Sequence, residues 1–156
     1  LIFSNFGGLN CLSPDELQRL GQVLPRWLAP GGQVVVVVMG RVCWWETLYF
    51  TAKGRFRSAA RRWQGGPVDA RLDAHTTVPT WYYTPAELAQ LWPAFRLERT
   101  EAVGFWLPPS YLDPLLRRLP GGVLRGLGWL EKKCRGRWWA GAADHWVAHF
   151  TFPISN

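Results

Sequence analysis

Five consecutive valines at residues 34–38 constrain the fold of this chain more than any other feature. A continuous β-branched run is typical of a strand covered on both faces, as in a parallel sheet flanked by helices. An apolar run at residues 1–3, a helical pattern and the turn Pro30-Gly31-Gly32 precede the valines. This order predicts one right-handed βαβ unit and therefore an α/β fold.

Two capping boxes mark the starts of predicted helices. Ser13 lies three residues before Glu16, and Thr84 lies three residues before Glu87, the spacing at which each side chain caps the backbone N–H of the other residue. Pro25 is expected to shorten the first of these helices. Its predicted buried face consists of apolar residues at helical spacing: Leu17, Leu20, Leu24, Trp27 and Leu28.

Four further segments have strand patterns. Residues 68–72 and 76–83 predict a hairpin, residues 95–103 predict a strand, and residues 145–152 alternate apolar and polar side chains. We expect the last two to form an antiparallel pair in the same sheet as residues 1–3 and the valine strand, which should be parallel neighbours. Several glycines in the long segment before the final strand predict short, irregular helices there.

Length and cysteine content bound the class of protein. The chain has 156 residues, of which 48% are apolar, which suits one globular domain. Cys11, Cys43 and Cys134 form an odd set without CxxC spacing, which disfavours a disulfide framework and a metal site and favours a reducing compartment. We therefore expect a cytoplasmic protein without a metal, and no apolar run approaches the roughly 20 residues of a membrane-spanning helix.

The order of these predicted elements resembles the C-terminal half of a class I S-adenosylmethionine-dependent methyltransferase. Residues 1–5 and 9–12 look like the fourth strand of that family and the loop after it. Residues 28–32 look like its L-x-P-G-G lead into the fifth strand, and residues 83–88 look like the helix before its sixth strand. The last two predicted strands look like its closing antiparallel pair. The resemblance covers almost the whole chain.

The resemblance implies a Rossmann-like sheet with a reversed final strand. It also implies that residues 1–156 are a partial methyltransferase domain, whose N-terminal cofactor-binding half, with the Gly-rich loop and the ribose-binding acid, is expected upstream of Leu1. The implied cofactor is S-adenosylmethionine. The implied activity is methyl transfer by the parent protein to a small, hydrophobic or aromatic acceptor, and the chain alone is expected to be inactive.

Carried over residue by residue, the resemblance assigns cofactor binding to Ser4, Asn5 and Gly7, and it places Asn10 at the position that faces the acceptor as the catalytic residue. One extra residue separates Asn5 from Leu9 relative to the family pattern. The alternative interpretation is an Asn-rich turn that satisfies its own backbone. No general base is singled out, and none is needed unless the acceptor must lose a proton.

Aromatic side chains after the fifth-strand position are the candidates for the acceptor pocket, because an aromatic wall suits an apolar or planar acceptor. For any single one, a place in the core is the alternative. The candidate substrate-binding residues are Trp44, Trp45, Tyr49, Tyr83 and Tyr111.

Two segments hold most of the positive charge of a chain with net charge +7, together with most of its tryptophans. Indole rings beside cations suit the surface of an anionic membrane. The alternatives are a solvated basic face and, least favoured, nucleic-acid binding, because no recognised nucleic-acid fold accompanies the charge. The competing function is therefore a non-catalytic module that docks on an anionic membrane or a partner through these segments. The cations are Arg41, Lys53, Arg55, Arg57, Arg61, Arg62 and Arg71 in the first segment, and Arg117, Arg118, Arg125, Lys132, Lys133, Arg135 and Arg137 in the second.

Overall fold

The chain folds as a mixed α/β structure with one four-stranded sheet and one two-stranded hairpin. The computed structural model describes residues 1–5, 7–71, 73, 75–109, 112 and 119–154. The strands are β1 (Ile2–Ser4), β2 (Gln33–Met39), β3 (Val68–Arg71), β4 (Thr77–Thr80), β5 (Arg96–Val103) and β6 (His145–Thr151). The helices are α1 (Pro14–Val23), α2 (Trp44–Ala52), α3 (Phe56–Ala59), α4 (Pro85–Leu91), α5 (Gly121–Lys133) and α6 (Arg137–Ala140).

The main sheet has the strand order β1-β2-β6-β5. β1 and β2 are parallel, with Ile2 opposite Val34, and β6 is antiparallel to both β2 and β5. The predicted strands, their common sheet and the direction of each pair are therefore confirmed. The valine strand departs from the prediction on one face, because Val34, Val36 and Val38 are buried whereas the alternate valines are only half-buried.

Both capping boxes are present. The Ser13 backbone N–H donates to Glu16 Oε2 at 2.8 Å, and the Thr84 N–H donates to Glu87 Oε2 at 2.8 Å. In each box the hydroxyl oxygen of the cap accepts a hydrogen bond from the backbone N–H of the glutamate, so two donors at each helix start are satisfied.

The end of α1 differs from the predicted buried face. The helix ends at Val23 and continues as a 3-10 turn over Leu24–Trp27, in which Pro25 cannot donate to the helical ladder. The tighter turn rotates the later side chains away from the core. Leu24 is buried, but Trp27 is 65% exposed, so its predicted place on the buried face is wrong.

The core lies between the sheet and the helices α1 and α4. Trp146 and Phe150 of β6 and Leu17 of α1 are fully buried. Trp92, at the end of α4, is also buried, and its indole N–H donates to the Leu17 carbonyl oxygen at 2.8 Å. Burial of side chains of this size stabilises the domain by roughly 1.5–3 kcal/mol each.

Helix α5 is longer than its glycines predicted. It runs for 13 residues and contains Gly121, Gly122, Gly126 and Gly128. A Cβ at any of these four positions would meet open space, so they cost the helix only their intrinsic propensity, and they do not interrupt it. The expectation of short, irregular helices in this segment is wrong for residues 121–133.

Two glycine substitutions should change stability in opposite directions. In Gly21→Ala the new Cβ would lie 2.4 Å from Trp92 Cδ1 in the closed contact between α1 and α4. We expect the overpacking to outweigh the gain in helix propensity and to lower the free energy of unfolding by about 1–3 kcal/mol. Gly126→Ala, on the open side of α5, is the matched control and should raise it by about 0.5–1 kcal/mol. Urea unfolding measures the change in unfolding free energy of both variants. A stabilised Gly21→Ala variant would contradict close packing between Gly21 and Trp92.

Candidate functional site at the carboxyl edge of the sheet

Three strands end at one edge of the sheet. β5 and β2 are both antiparallel to β6, so β1, β2 and β5 run in the same direction, and β6 begins where they end. The loops at this edge are joined by backbone hydrogen bonds from Gly40 N to Asp144 O at 3.0 Å and from Asp144 N to Gly104 O at 3.4 Å. This is the edge at which open α/β sheets bind ligands.

The loop after β1 holds the predicted cofactor residues. Ser4 is half-buried at the end of the strand, and Asn5 beside it is exposed. Gly7 has φ +65°, and a Cβ there would lie 3.1 Å from Asn10 Oδ1. The left-handed backbone therefore requires glycine at this position, whereas a Cβ at Gly8 would meet nothing within 4 Å. The open side of the loop lies at Ser4, Asn5 and Gly8.

Asn10 joins this loop to the rest of the edge. Its side-chain amide donates to Met39 O at 3.2 Å and to Trp81 O at 2.6 Å, and its Oδ1 accepts from Met39 N at 2.8 Å. The side chain has no exposed surface. The donors of Asn10 are thus occupied by backbone groups of β2 and of the segment after β4. The alternative interpretation was an Asn-rich turn that satisfies its own backbone. Asn10 does satisfy backbone groups, but they belong to other elements. The catalytic role of Asn10 stays a prediction.

A buried charged cluster that sequence reasoning missed lies at the same edge. Arg62 is 6% exposed, and its Nη2 donates to Glu46 Oε2 at 2.7 Å and to Asp144 Oδ1 at 2.8 Å. Its Nη1 donates to the carbonyl oxygens of Gly40 and Asp144, both at 3.3 Å. Arg61 Nε adds a hydrogen bond to Glu46 Oε1 at 2.6 Å. The cluster fastens the segment that follows β2 onto the edge of the sheet.

The cluster keeps its charges despite burial. Burial alone would lower the pKa of Arg62, but the carboxylates of Glu46 and Asp144 outweigh it and raise that pKa. Burial likewise opposes ionisation of Glu46, and the hydrogen bond from Arg61 and the charge of Arg62 hold its pKa below the ordinary value. Asp144 behaves in the same way, with its hydrogen bond to His145 and the charge of Arg62 lowering its pKa against burial.

Cys43 lies beside this cluster and is not a candidate nucleophile. It is 1% exposed, and burial, followed by the charge of Asp144, raises the pKa of its thiol to about 11. A reactive cysteine needs a thiolate, which this environment disfavours.

Aromatic side chains from three segments meet above the same edge. The indole N–H groups of Trp44 and Trp45, in α2, both donate to the carbonyl oxygen of Phe105, the Trp45 bond being 3.0 Å long. The Phe105 ring lies 5.7 Å from Trp44 and 4.7 Å from Trp139 of α6, and Trp106 lies 5.5 Å from Trp139. Trp44 and Trp45 are half-buried, so each keeps part of its ring exposed.

A buried glutamate fixes the loop that carries Phe105. Glu131 of α5 accepts a hydrogen bond from Gly104 N at 2.8 Å through Oε1, and from Trp106 N at 2.8 Å and Leu107 N at 3.3 Å through Oε2. It is 8% exposed. Helix α5 and the loop after β5 are therefore held together by one carboxylate, a role that no local sequence pattern indicated.

The remaining predicted acceptor residues are not gathered with Trp44 and Trp45 in the contacts described. Tyr83 is 3% exposed, and its hydroxyl donates to Leu12 O at 2.6 Å, which places it in the core. It borders a cavity of about 190 Å³ next to Arg41. Tyr49 lies on α2, where its hydroxyl accepts from Lys53 Nζ at 2.6 Å. Tyr111 lies outside the described residues.

A larger groove lies on the outer side of the sheet, away from the predicted site. It has a volume of about 470 Å³ and runs along β5 opposite Lys133 and Arg135. The contacts described for Asn10 are with β2 and Trp81, and those for Trp44 and Trp45 are with Phe105. The contacts described thus join Asn10 and the two tryptophans to different segments of the edge.

Comparison with known proteins does not assign the chain to a family. No protein-family model matches it, and no curated protein matches it at a significant level. Within the described ranges, no helix is both long enough and apolar enough to cross a membrane.

Proposed function

We propose that this chain forms part of an S-adenosylmethionine-dependent methyltransferase that acts on a small, hydrophobic or aromatic acceptor. The observation that carries the proposal is the reversed final strand: β6 lies between β2 and β5 and is antiparallel to both, beside the parallel pair β1 and β2. A reversed final strand in a Rossmann-like sheet is what the family resemblance requires.

The composition of the edge also supports the proposal. Ser4 and Asn5 end a parallel strand, where a ligand crevice is expected, and the loop behind them is held rigid by Asn10. The half-buried rings of Trp44 and Trp45 belong to the first helix after β2. An apolar or planar acceptor would bury its surface against such rings.

Methyl transfer from a sulfonium is an in-line displacement, for which the protein has mainly to hold two partners in line and exclude water. The cofactor, when bound, would supply the methyl group. Ser4 and Asn5 would hydrogen-bond its amino-acid end, and Asn10 would position their loop. The two aromatic segments above the edge would shield the acceptor from water.

The cofactor assignment predicts that Asn5→Ala weakens S-adenosylmethionine binding by about 1–3 kcal/mol, because the side chain would hydrogen-bond a charged group of the ligand. The measurement is isothermal titration calorimetry on the full-length parent, which is expected to contain the Gly-rich loop. Trp44→Ala/Trp45→Ala is the acceptor-side control, in which cofactor affinity should hold while turnover of an apolar acceptor falls.

Two results would oppose this proposal. An unchanged cofactor affinity in Asn5→Ala would remove Asn5 from the site. A loss of cofactor affinity in the double tryptophan variant, with the acceptor constant unchanged, would place these rings in the core or beside the cofactor instead of beside the acceptor.

A further inference from the structure

Positive charge on this molecule is concentrated in one region, the aromatic-basic cap. We define the cap as residues 41–65, 104–109 and 119–141. The cap contains eleven of the eighteen Lys and Arg residues of the chain, but only two of its eleven carboxylates. Both of these carboxylates point inward. Glu46 is 1% exposed and bound to Arg61 and Arg62, and Glu131 is 8% exposed and bound to backbone N–H groups.

The exposed surface of the cap is therefore cationic without counter-charges of its own. Exposed cations on it include Lys53, Arg55 and Arg57 after α2, and Lys132 and Arg137 near α6. Of the exposed carboxylates among the described residues, Asp15, Glu16, Asp69 and Asp73 lie in other segments, and Glu98 of β5 borders the groove that Lys133, Arg135 and Arg137 also line. A surface with this distribution attracts an extended anionic partner over a Debye length, about 8 Å at physiological ionic strength.

The segments of the cap form one body. Trp44 and Trp45 bind the Phe105 carbonyl, Phe105 contacts Trp139, and Glu131 binds the loop that contains Phe105. The cationic residues that follow α2 and those that flank α6 are thereby fixed to a common aromatic centre.

Large apolar side chains project from this body into solvent. Trp138, next to Trp139, is 84% exposed, and the Arg137 guanidinium lies 5.4 Å from its ring centre. Trp129 of α5 is 60% exposed, and Phe56 of α3 is 66% exposed. An exposed Trp or Phe beside a cation places a ring at the headgroup level of a bilayer and a charge on its phosphates.

The aliphatic side chains distinguish a bilayer from a nucleic acid as the partner. Leu48 is 53% exposed, Val123 is 45% exposed and Leu107 is 37% exposed, all within the cap. Such side chains gain by entering the acyl boundary of a membrane. Nucleic acids are bound through aromatic rings that stack on the bases and through cations that contact the backbone. Exposed aliphatic side chains contribute little to such binding.

We propose that the aromatic-basic cap docks this protein on the surface of an anionic lipid bilayer. The cations contact the lipid phosphates, and Trp138, Trp129 and their aliphatic neighbours enter the interface. The proposal concerns where the protein acts and does not depend on methyl transfer.

Flotation of the protein with vesicles tests this proposal. We expect recovery with phosphatidylcholine vesicles that contain phosphatidylglycerol, little recovery with phosphatidylcholine alone, and loss of binding as NaCl is raised. Arg55→Gln/Arg57→Gln should lower the partition coefficient by about 25-fold, from about fivefold for each of the two cations. Trp129→Ala/Trp138→Ala should lower it several-fold even at low salt.

Matched controls come from outside the cap. Arg19→Gln/Arg26→Gln removes two exposed cations, and Trp27→Ala removes a ring that is 65% exposed, so neither should change vesicle binding. Equal recovery with neutral and anionic vesicles, or equal losses in the cap variants and these controls, would overturn the proposal. Tighter binding to a single-stranded oligonucleotide than to anionic vesicles, lost in the same cap variants, would assign the cap to nucleic acid instead.

Discussion

Replacement of Arg62 by methionine is expected to lower the free energy of unfolding by about 3–5 kcal/mol, the cost of breaking a buried ion pair by removing one partner. Glu46 and Asp144 would stay buried with one fewer cation, and the Gly40 carbonyl would lose its Arg62 donor. Arg57→Met, which removes an exposed cation on the same segment, is the control and should change stability by no more than about 0.5 kcal/mol.

The loss of unfolding free energy in Arg62→Met should be larger at neutral pH than at acidic pH. In the native protein the pKa values of Glu46 and Asp144 are lowered, so their stabilisation is present above the ordinary carboxyl pKa and is lost as pH falls through the lowered values, below about pH 4. Without Arg62, one cation fewer opposes burial, so both pKa values should rise, although Arg61 still binds Glu46 and His145 still binds Asp144. The ionised carboxylates should then stabilise the variant less than they stabilise the native protein. The penalty is therefore larger at pH 7 than near pH 4.5.

Urea unfolding of the native protein, Arg62→Met and Arg57→Met at the two pH values measures this difference. Hydrogen exchange provides a second readout, because the amides of residues 41–65 should exchange faster once Arg62 no longer fastens their segment to Gly40 and Asp144. A penalty that is below about 1 kcal/mol, or that is the same at both pH values, would show that the buried cluster does not hold the segment in place.

Replacement of Asn10 by aspartate should cost about 3 kcal/mol or more at neutral pH. The new carboxylate would have no exposed surface and would face two carbonyl oxygens, those of Met39 and Trp81, which now accept from the asparagine amide. The Met39 N–H would remain its donor, but a buried charge that also faces two carbonyl oxygens is strongly disfavoured, so the pKa of this carboxyl should be raised. Protonation provides one donor, and part of the stability should return as pH is lowered toward 4.5.

Asn10→Ala separates the structural role from a catalytic one. It should cost about 2–3 kcal/mol, because the Met39 N–H and two buried carbonyl oxygens lose their partner. Cys11→Ala, at an exposed position in the same turn, is the control and should be close to neutral. Thermal unfolding at two pH values measures the stability of all three variants, Asn10→Asp, Asn10→Ala and Cys11→Ala. If Asn10→Ala and Asn10→Asp unfold like the native protein but lose activity in the parent, Asn10 acts on the acceptor and its positioning role is wrong.

Patterns that act over a few residues predicted the sheet. The valine run, the alternation in residues 145–152 and the two capping boxes each depend on neighbouring residues, and all four became the elements expected of them. The order of these elements also predicted the parallel pair and the antiparallel pair. The same local reasoning misplaced Trp27, because the change from α-helix to 3-10 turn at Pro25 alters the rotation per residue.

The contents of the carboxyl edge were predicted only in part. Ser4 ends β1, and Asn5 and Gly7 lie in the loop that follows at that edge, as the strand order required. At Gly7 the positive φ and the nearby Asn10 and Met39 side chains exclude a larger residue. Whether these residues bind S-adenosylmethionine stays a prediction.

The sequence by itself determined the strands and the starts of α1 and α4, because side-chain periodicity and capping residues act within a few residues. The order of the elements indicated the direction of each strand. Only the tertiary structure decided what lies at the edge of the sheet. Arg62 meets Asp144 from 82 positions away, Asn10 meets Trp81 from 71 positions away, and Glu131 meets Gly104 from 27 positions away. Each of these contacts satisfies buried polar groups of distant elements, and no local pattern encodes which distant partner a polar side chain will find.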